Sequence, residues 1–255
     1  MTEKISENRS QFVVKANSII QQSRFSMTAF QQKAYLFLIS KIKPEDEGGK
    51  NYEFSVTDFL QACGLEQSGK NYTKVKETIR SIRNISFWVT LDGKEHLLGL
   101  LDRATIEPKT GKITCCFHDD IKPFLLYLKE NYTQFELRNV LAMQSKYAIR
   151  FYELAKSHQF LREFQIPLDE LKRSLCAENY EDYRAFRRRV LDPAVEEVNL
   201  LTDINLEVTD IRGEGRGSKI TSLSFRVTPK TSDEQWLAEK ERERIYGKNA
   251  ETDRG

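Results

Sequence analysis

The chain has 255 residues, enough for two small domains, with 39% hydrophobic, 11% aromatic and 31% charged side chains. Its 40 basic and 38 acidic residues leave a net charge of only +2, so any nucleic-acid surface must come from local segregation of charge. No run of about eighteen apolar residues and no secretory core at the N-terminus argue for a cytoplasmic, non-membrane protein, and Cys63, Cys115, Cys116 and Cys176, with no CxxC pair, read as free thiols.

In chain order, "QFVVKANSII" reads as a short extended piece. "SMTAFQQKAYLFLISKI" predicts a helix, with Met27, Phe30, Ala34, Phe37, Leu38 and Ile42 at helical spacing and Ser26 or Thr28 as its cap. "YEFSV" alternates like a strand, and "TDFLQACGL" predicts a short helix that starts on a cap residue and stops at Gly64. The stretch "GLEQSGKNYTKVKETIRSIRN" opens on a glycine turn and continues as a helix with an apolar seam of Tyr72, Val75, Ile79 and Ile82. "ISFWVTL" and "HLLGLLDRATIE" are strands around an Asp92-Gly93 hairpin signal, with Phe87, Val89 and Leu91 on one face. After the turn "PKTG", "KITCCFH" is a strand with Ile113, Cys115 and Phe117 inward, and "DDIKPFLLYLKENYTQF" is expected to be helical.

From about residue 144 the order recurs. "SKYAIRFYELAKSH" is a helix, "EFQIPL" a strand, and "LDELKRSLC" a short helix capped by Asp169. "NYEDYRAFRRRVLDPAVEEVNL" is a longer helix packed through Phe186, Val190, Ala194 and Val198. "INLEVTDI" and "ITSLSFRVT" are strands on either side of the basic turn "RGEGRGSK". Helix, strand, two helices and a two-stranded wing is the order of a winged-helix domain, a helix-turn-helix variant. The expected fold is therefore α+β, two tandem winged-helix domains over residues 1–135 and 136–229, with a charged tail over 230–255 that is partly helical and disordered at its end.

Gly64, Gly69 and Lys70 match the front of a phosphate-binding P-loop. The loop follows a helix rather than a strand, and Asn71 stands where Ser or Thr would hold magnesium, so an ATPase reading is rejected. A basic glycine turn at a helix start suits a DNA phosphate equally well. Lys70, Asn71, Thr73, Lys74 and Arg80 are the candidate contacts there, against the blander reading of a solvated basic face. In the second unit Arg184, Arg187, Arg188 and Arg189 lie in the half of the helix that would enter the groove; the alternative is a helix laced by Arg188–Asp192 and Arg189–Asp192 pairs. The turn adds Arg212, Arg216 and Lys219 as backbone or minor-groove contacts. His96, His118 and His158 form no metal-binding pair, so no metal, cofactor or catalytic residue is expected, and the missing histidine cluster argues against a DNA-nicking enzyme.

Three stretches carry a family resemblance. "VVKANSIIQQSRFSMTAFQQKAYLFLISKI", "SKYAIRFYELAKSH" and "YRAFRRRVLDPAVEEVNLLTDINLEV", the last followed by a glycine-rich turn and "ITSLSFRV", resemble the plasmid replication initiators built from tandem winged helices. The resemblance implies binding of directly repeated iterons at a plasmid origin, bending and melting of DNA, and recruitment of host helicase-loading or initiator proteins. It also implies a homodimer in equilibrium with the monomer, formed through the first domain, that represses the protein's own gene. "RAFRRR" matches the family's recognition helix, so Arg184, Arg187, Arg188 and Arg189 inherit base and phosphate contacts, Arg188 foremost. Lys70, Asn71, Lys74 and Arg80 inherit a looser role in the first domain. A winged-helix transcriptional repressor is the alternative that the residues themselves leave open.

Overall fold

The computed structural model describes residues 11–47, 49–91, 93–214 and 219–252, with the backbone alone at 90, 91 and 248–252. Strand β1 (Phe12–Ala16) leads directly into a short helix α1 (Asn17–Gln22), so only the first half of the predicted extended piece is extended. Helix α2 (Ala29–Ile39) starts at Thr28 through a capping box: the Gln31 amide donates to Thr28 Oγ1 at 3.2 Å, and the Thr28 amide to Gln31 Oε1 at 2.7 Å. Strand β2 (Tyr52–Ser55) runs into α3 (Val56–Ala62), whose cap is Ser55 rather than the predicted Thr57. Then come α4 (Gly69–Arg83), capped by Ser68, and the strands β3 (Ser86–Leu91), β4 (Lys94–Gly99), β5 (Leu101–Glu107) and β6 (Lys112–Phe117).

The predicted helix over "DDIKPFLLYLKENYTQF" is a correction. Only a 3₁₀ turn (Asp119–Phe124) forms, and Tyr132–Glu136 is a strand, β7. Tyr127 and Asn131, both at positive φ, turn the chain between them, and β7 pairs antiparallel with β1, Val13 opposite Phe135. After a turn of helix, α5 (Arg138–Leu141), the second unit runs α6 (Lys146–His158), β8 (Glu163–Pro167) and α7 (Leu168–Ser174). Helix α7 begins at Pro167 with no side-chain cap; the predicted cap, Asp169, sits inside its first turn. A continuous helical rod follows, made of α8 (Tyr183–Phe186), a π segment (Arg187–Leu191) and α9 (Asp192–Leu201). Strands β9 (Ile204–Arg212) and β10 (Ile220–Pro229) precede α10 (Ser232–Thr252), a helix longer than the partly helical tail expected.

The sheets show the repeat that the letters conceal. The first unit holds a three-stranded antiparallel sheet in the order β2-β6-β5, and the second one in the order β8-β10-β9. In each, the strand before the helix pair joins the last strand of the wing. The β3–β4 hairpin is an insertion with no counterpart among the described residues of the second unit. Inward residues meet in register: Phe54 opposite Ile113 opposite Ile106 in the first, and Phe164 opposite Phe225 opposite Val208 in the second. Phe37, Phe54 and Phe59 pack edge to face with one another, while His158, Phe164 and Phe225 stack in series with centroids 4.3 and 5.2 Å apart.

Helix α6 belongs to both units. Its Glu153, almost fully buried, accepts from Lys15 Nζ of β1 at 2.7 Å and from Arg150 at 3.1 Å. Arg150 in turn donates to the Ile20 carbonyl of α1 at 3.0 Å. The lysine of the N-terminal "VVKAN" is thus a structural counter-ion to the second unit's first helix. Asn17, two residues on, accepts from Thr133 Oγ1 at 2.6 Å and donates its amide to the Asn131 carbonyl at 2.7 Å, fastening β1 to β7.

Candidate nucleic-acid interface

Helix α4 buries Val75, Thr78, Ile79 and Ile82 and presents Lys70, Thr73, Lys74, Lys76 and Arg80 to solvent. Lys70 stands in the first turn, where amide groups without intrahelical partners favour an anion. The Lys74 ammonium lies over the Phe30 ring at 4.4 Å, and the residue is exposed. Thr73 bonds the Gly69 carbonyl, and Arg80 pairs with Glu77 at 3.4 Å across an exposed face, a contact too solvated to restrain it. Asn71 departs from its expected place: it is buried, with Nδ2 donating to the Glu66 carbonyl at 3.0 Å, which ties down the turn before α4. Gly64 lies in the turn between α3 and α4 and Gly69 opens α4, without the strand that a P-loop requires.

The second unit repeats the arrangement with arginines. Asp182, just before Tyr183, caps α8 by accepting from the Ala185 amide at 3.0 Å. Pro193 explains the π segment. It has no N–H for the Arg189 carbonyl, and its ring would collide with that carbonyl in α geometry. The helix widens instead, and the Asp192 amide donates to Arg187, five residues back. Phe186, Val190 and Leu191 are buried beneath, while Arg184, Arg188 and Arg189 are exposed and make no ion pair among the described residues.

Arg187 differs from its neighbours. It donates to Asp192 Oδ1 at 3.1 Å and to Asp210 Oδ1 on β9 at 2.8 Å. Tyr183 also donates to Asp210, and burial together with that bond pushes its hydroxyl up to about 12, so it remains a donor. The expected helix-lacing pair to Asp192 therefore exists, but with Arg187 as its cation rather than Arg188 or Arg189. Its effect is to clamp the helix start onto the wing strand. Lys172 of α7 supports the same region, bonding the Tyr180 carbonyl at 2.7 Å just ahead of α8.

Both helix starts face a wing across a groove. In the second unit the groove, about 980 Å³, runs between Arg184 and Arg187 on one side and Arg212 and Lys219 on the other. Arg212 and Lys219 are exposed at the feet of the wing; Arg216 lies outside the described residues. In the first unit the corresponding groove runs between Ser68, Gly69 and Tyr72 and the β5–β6 turn, Pro108–Gly111. Lys109 is exposed on that turn and was not among the predicted contacts. The repeat supplies the signal that finds it, since "PKTG" occupies the place of "RGEGRGSK". Among the described residues no three His, Cys, Asp or Glu side chains gather as metal ligands, and no helix is long and apolar enough to cross a membrane.

Two family models match this arrangement in sequence. The model described as "Initiator Replication protein, WH1" covers residues 12–156, more than half of the chain, and "Initiator Rep protein, WH2" covers residues 167–227. The chain belongs to the initiator replication protein family. Both winged-helix regions of that family are present, in order. The PI protein of Escherichia coli is 26% identical to this chain over 187 residues, 67% of this chain. The aligned part spans 60% of that relative's own length. In fold, the chain is similar to a crystal structure of Pi initiator protein in complex with iteron DNA, with a TM-score of 0.68, 23% identity, and coverage of 88% of this chain and 99% of that one. A structure of domains 2 and 3 of RctB aligns over 81% of this chain and 84% of that chain at a TM-score of 0.50 and 16% identity.

Proposed function

We propose that this chain initiates plasmid replication by reading directly repeated duplex sites at an origin with both of its winged helices. The observation that carries this reading is the double occurrence of one arrangement: a basic helix start facing a basic wing across a groove. Family membership and the likeness to an initiator solved on iteron DNA support the same conclusion. Binding is the whole chemistry, with no metal or cofactor.

The first reader lies in residues 1–135, the main reader in 136–229 and the charged tail in 230–255. Lys70, Thr73, Lys74 and Arg80 hold phosphates, with Lys109 on the first wing. Arg184, Arg188 and Arg189 contact bases and phosphates, and Arg212, Arg216 and Lys219 hold backbone or minor groove beside them. Asn71 and Arg187 position these groups rather than touch DNA. Bound in arrays, the protein bends the duplex, opens a neighbouring A·T-rich segment and recruits host helicase-loading proteins in the cytoplasm. The first unit also carries the dimer contact. Trp88 and Leu97, directly paired across the inserted hairpin and about half exposed, give that surface an apolar centre.

Arg188→Ala is expected to weaken specific binding by about 1–3 kcal/mol and to relax preference at one base pair. Lys74→Ala is expected to weaken binding to all duplexes alike and to flatten the salt dependence by about one unit of slope. Titrations over a salt series with specific and scrambled duplexes measure both. Unchanged affinity in Arg188→Ala removes that residue from the reading set; altered base preference in Lys74→Ala means that reader and anchor are exchanged.

A further inference from the structure

The last helix crosses from the second unit to the first. At its start, Glu234 accepts from Asn205 Nδ2 of β9 at 3.0 Å and from the Thr231 amide at 2.7 Å, and the Lys230 ammonium just before it bonds the Asn199 carbonyl of α9. One stripe of this charged helix is buried, at four-residue spacing: Ala238, Arg242 and Tyr246. Arg242 donates to the Leu201 carbonyl at the end of α9, where the helix dipole favours a cation, and to Asn139 Oδ1 of α5 at 3.2 Å. Glu239 joins it and also pairs with Arg138 of α5 at 3.5 Å.

Four residues beyond Arg242, Tyr246 packs on Gly64, in the turn between α3 and α4. The approach is close enough to require glycine. A Cβ at position 64 would stand 2.8 Å from Tyr246 Cα and 2.9 Å from its Cβ, and Gly64 also has a φ of +69°. The glycine that imitates a P-loop in the sequence is the seat for this helix. The turn it belongs to sets the direction in which α4 leaves α3.

We propose that α10 is a strap that fixes the first reading helix relative to the second, and that Tyr246 is its positioning residue at the α3–α4 turn. This rests on the reading above, in which both units engage one site. Two linked binders act at a high effective concentration only while their geometry permits simultaneous engagement, so a loosened α4 sacrifices the joint site before either half.

The test uses the full chain carrying Tyr246→Ala or Tyr246→Phe. Each is titrated against the specific duplex and against one in which only the half read by Arg188 is kept. Tyr246→Ala is expected to lose roughly tenfold in affinity on the complete site and nothing on the half-site. Tyr246→Phe, which keeps the ring, is expected to bind as the parent does. Equal losses on both duplexes, or no loss on the complete one, overturn the strap. Hydrogen exchange of the free protein gives a readout without DNA: Tyr246→Ala is expected to accelerate amides 63–70, and unchanged exchange overturns the proposal. A parent protein that binds the half-site as tightly as the complete site refutes the two-reader function instead, and the exchange result still decides whether α10 holds the turn.

Discussion

Replacing Lys15 with methionine is expected to cost about 3–5 kcal/mol of folding stability, because it leaves a buried carboxylate without one of its two counter-ions. The Lys15 and Glu153 side chains are 4% and 3% exposed, so water cannot compensate either charge. Arg150 remains beside Glu153, but its other nitrogen is occupied by carbonyls of α1 and the segment that follows it. Replacing all three ionic residues by apolar ones of similar size is expected to recover most of the loss, since the desolvation cost disappears with the charges. Urea denaturation of the parent, the single variant and the triple variant measures this directly. The acid limb provides a second check. Burial alone would raise the Glu153 carboxyl, but Lys15 and Arg150 outweigh it and hold it below its ordinary value of 4.5. A carboxyl held low in the fold contributes stability that is present above its unfolded pKa and is lost as the pH falls through its folded pKa. Lys15→Met raises the folded value, so its acid unfolding is expected to begin at higher pH than the parent's. A variant as stable as the parent at neutral pH, with the same acid midpoint, would remove the triad from the forces joining the two units.

Phe186→Ala carries the second large effect, about 3–5 kcal/mol, as a cavity opened beneath the arginine helix. Phe186 is fully buried and lies between Arg184 and Arg188 in sequence, with the Lys172 ammonium 5.5 Å from its ring centroid. Its loss is expected to lower the melting temperature and to weaken specific DNA binding even where the variant stays folded, because the arginines lose the floor that orients them. Phe186→Leu leaves a smaller void and is expected to restore much of both. Calorimetry and duplex titration at low temperature separate the two losses. Specific affinity unchanged in a folded Phe186→Ala would show that the core beneath the helix does not orient the reading side chains.

The elements found correctly from sequence are those whose signal is local. Thr28 and Gln31 start α2 by reciprocal bonds three residues apart, and the seam of α4 recurs within its own fifteen residues. The misread elements are those whose partner is distant. Segment 119–136 has helical apolar spacing around Ile121, Phe124 and Leu125, yet ends as a strand because β1, more than a hundred residues earlier, offers it a ladder. Nothing in the residues around Lys15 marks it as buried, because its carboxylate lies 138 residues away. Among the candidate contacts, exposure on a periodic helix was legible, so Lys74, Arg184 and Arg188 stand where the spacing puts them. The role of Arg187 was not legible, since nothing in "RAFRRR" distinguishes the arginine that meets Asp210 on a strand 23 residues on. The stretch around Pro193 reads in sequence as one helix; that proline is nonetheless the local cause of the π segment, which a single-helix reading passes over.

The central claim is that two winged helices of one chain read one stretch of duplex. Selection of bound duplexes from a random library, with the purified full chain at physiological salt, tests it most directly. The account predicts enrichment of a single asymmetric site of about twenty base pairs, two turns of the helix, bound by one chain. Enrichment of a short palindrome bound by two chains would contradict it and favour a repressor that uses one winged helix per half-site.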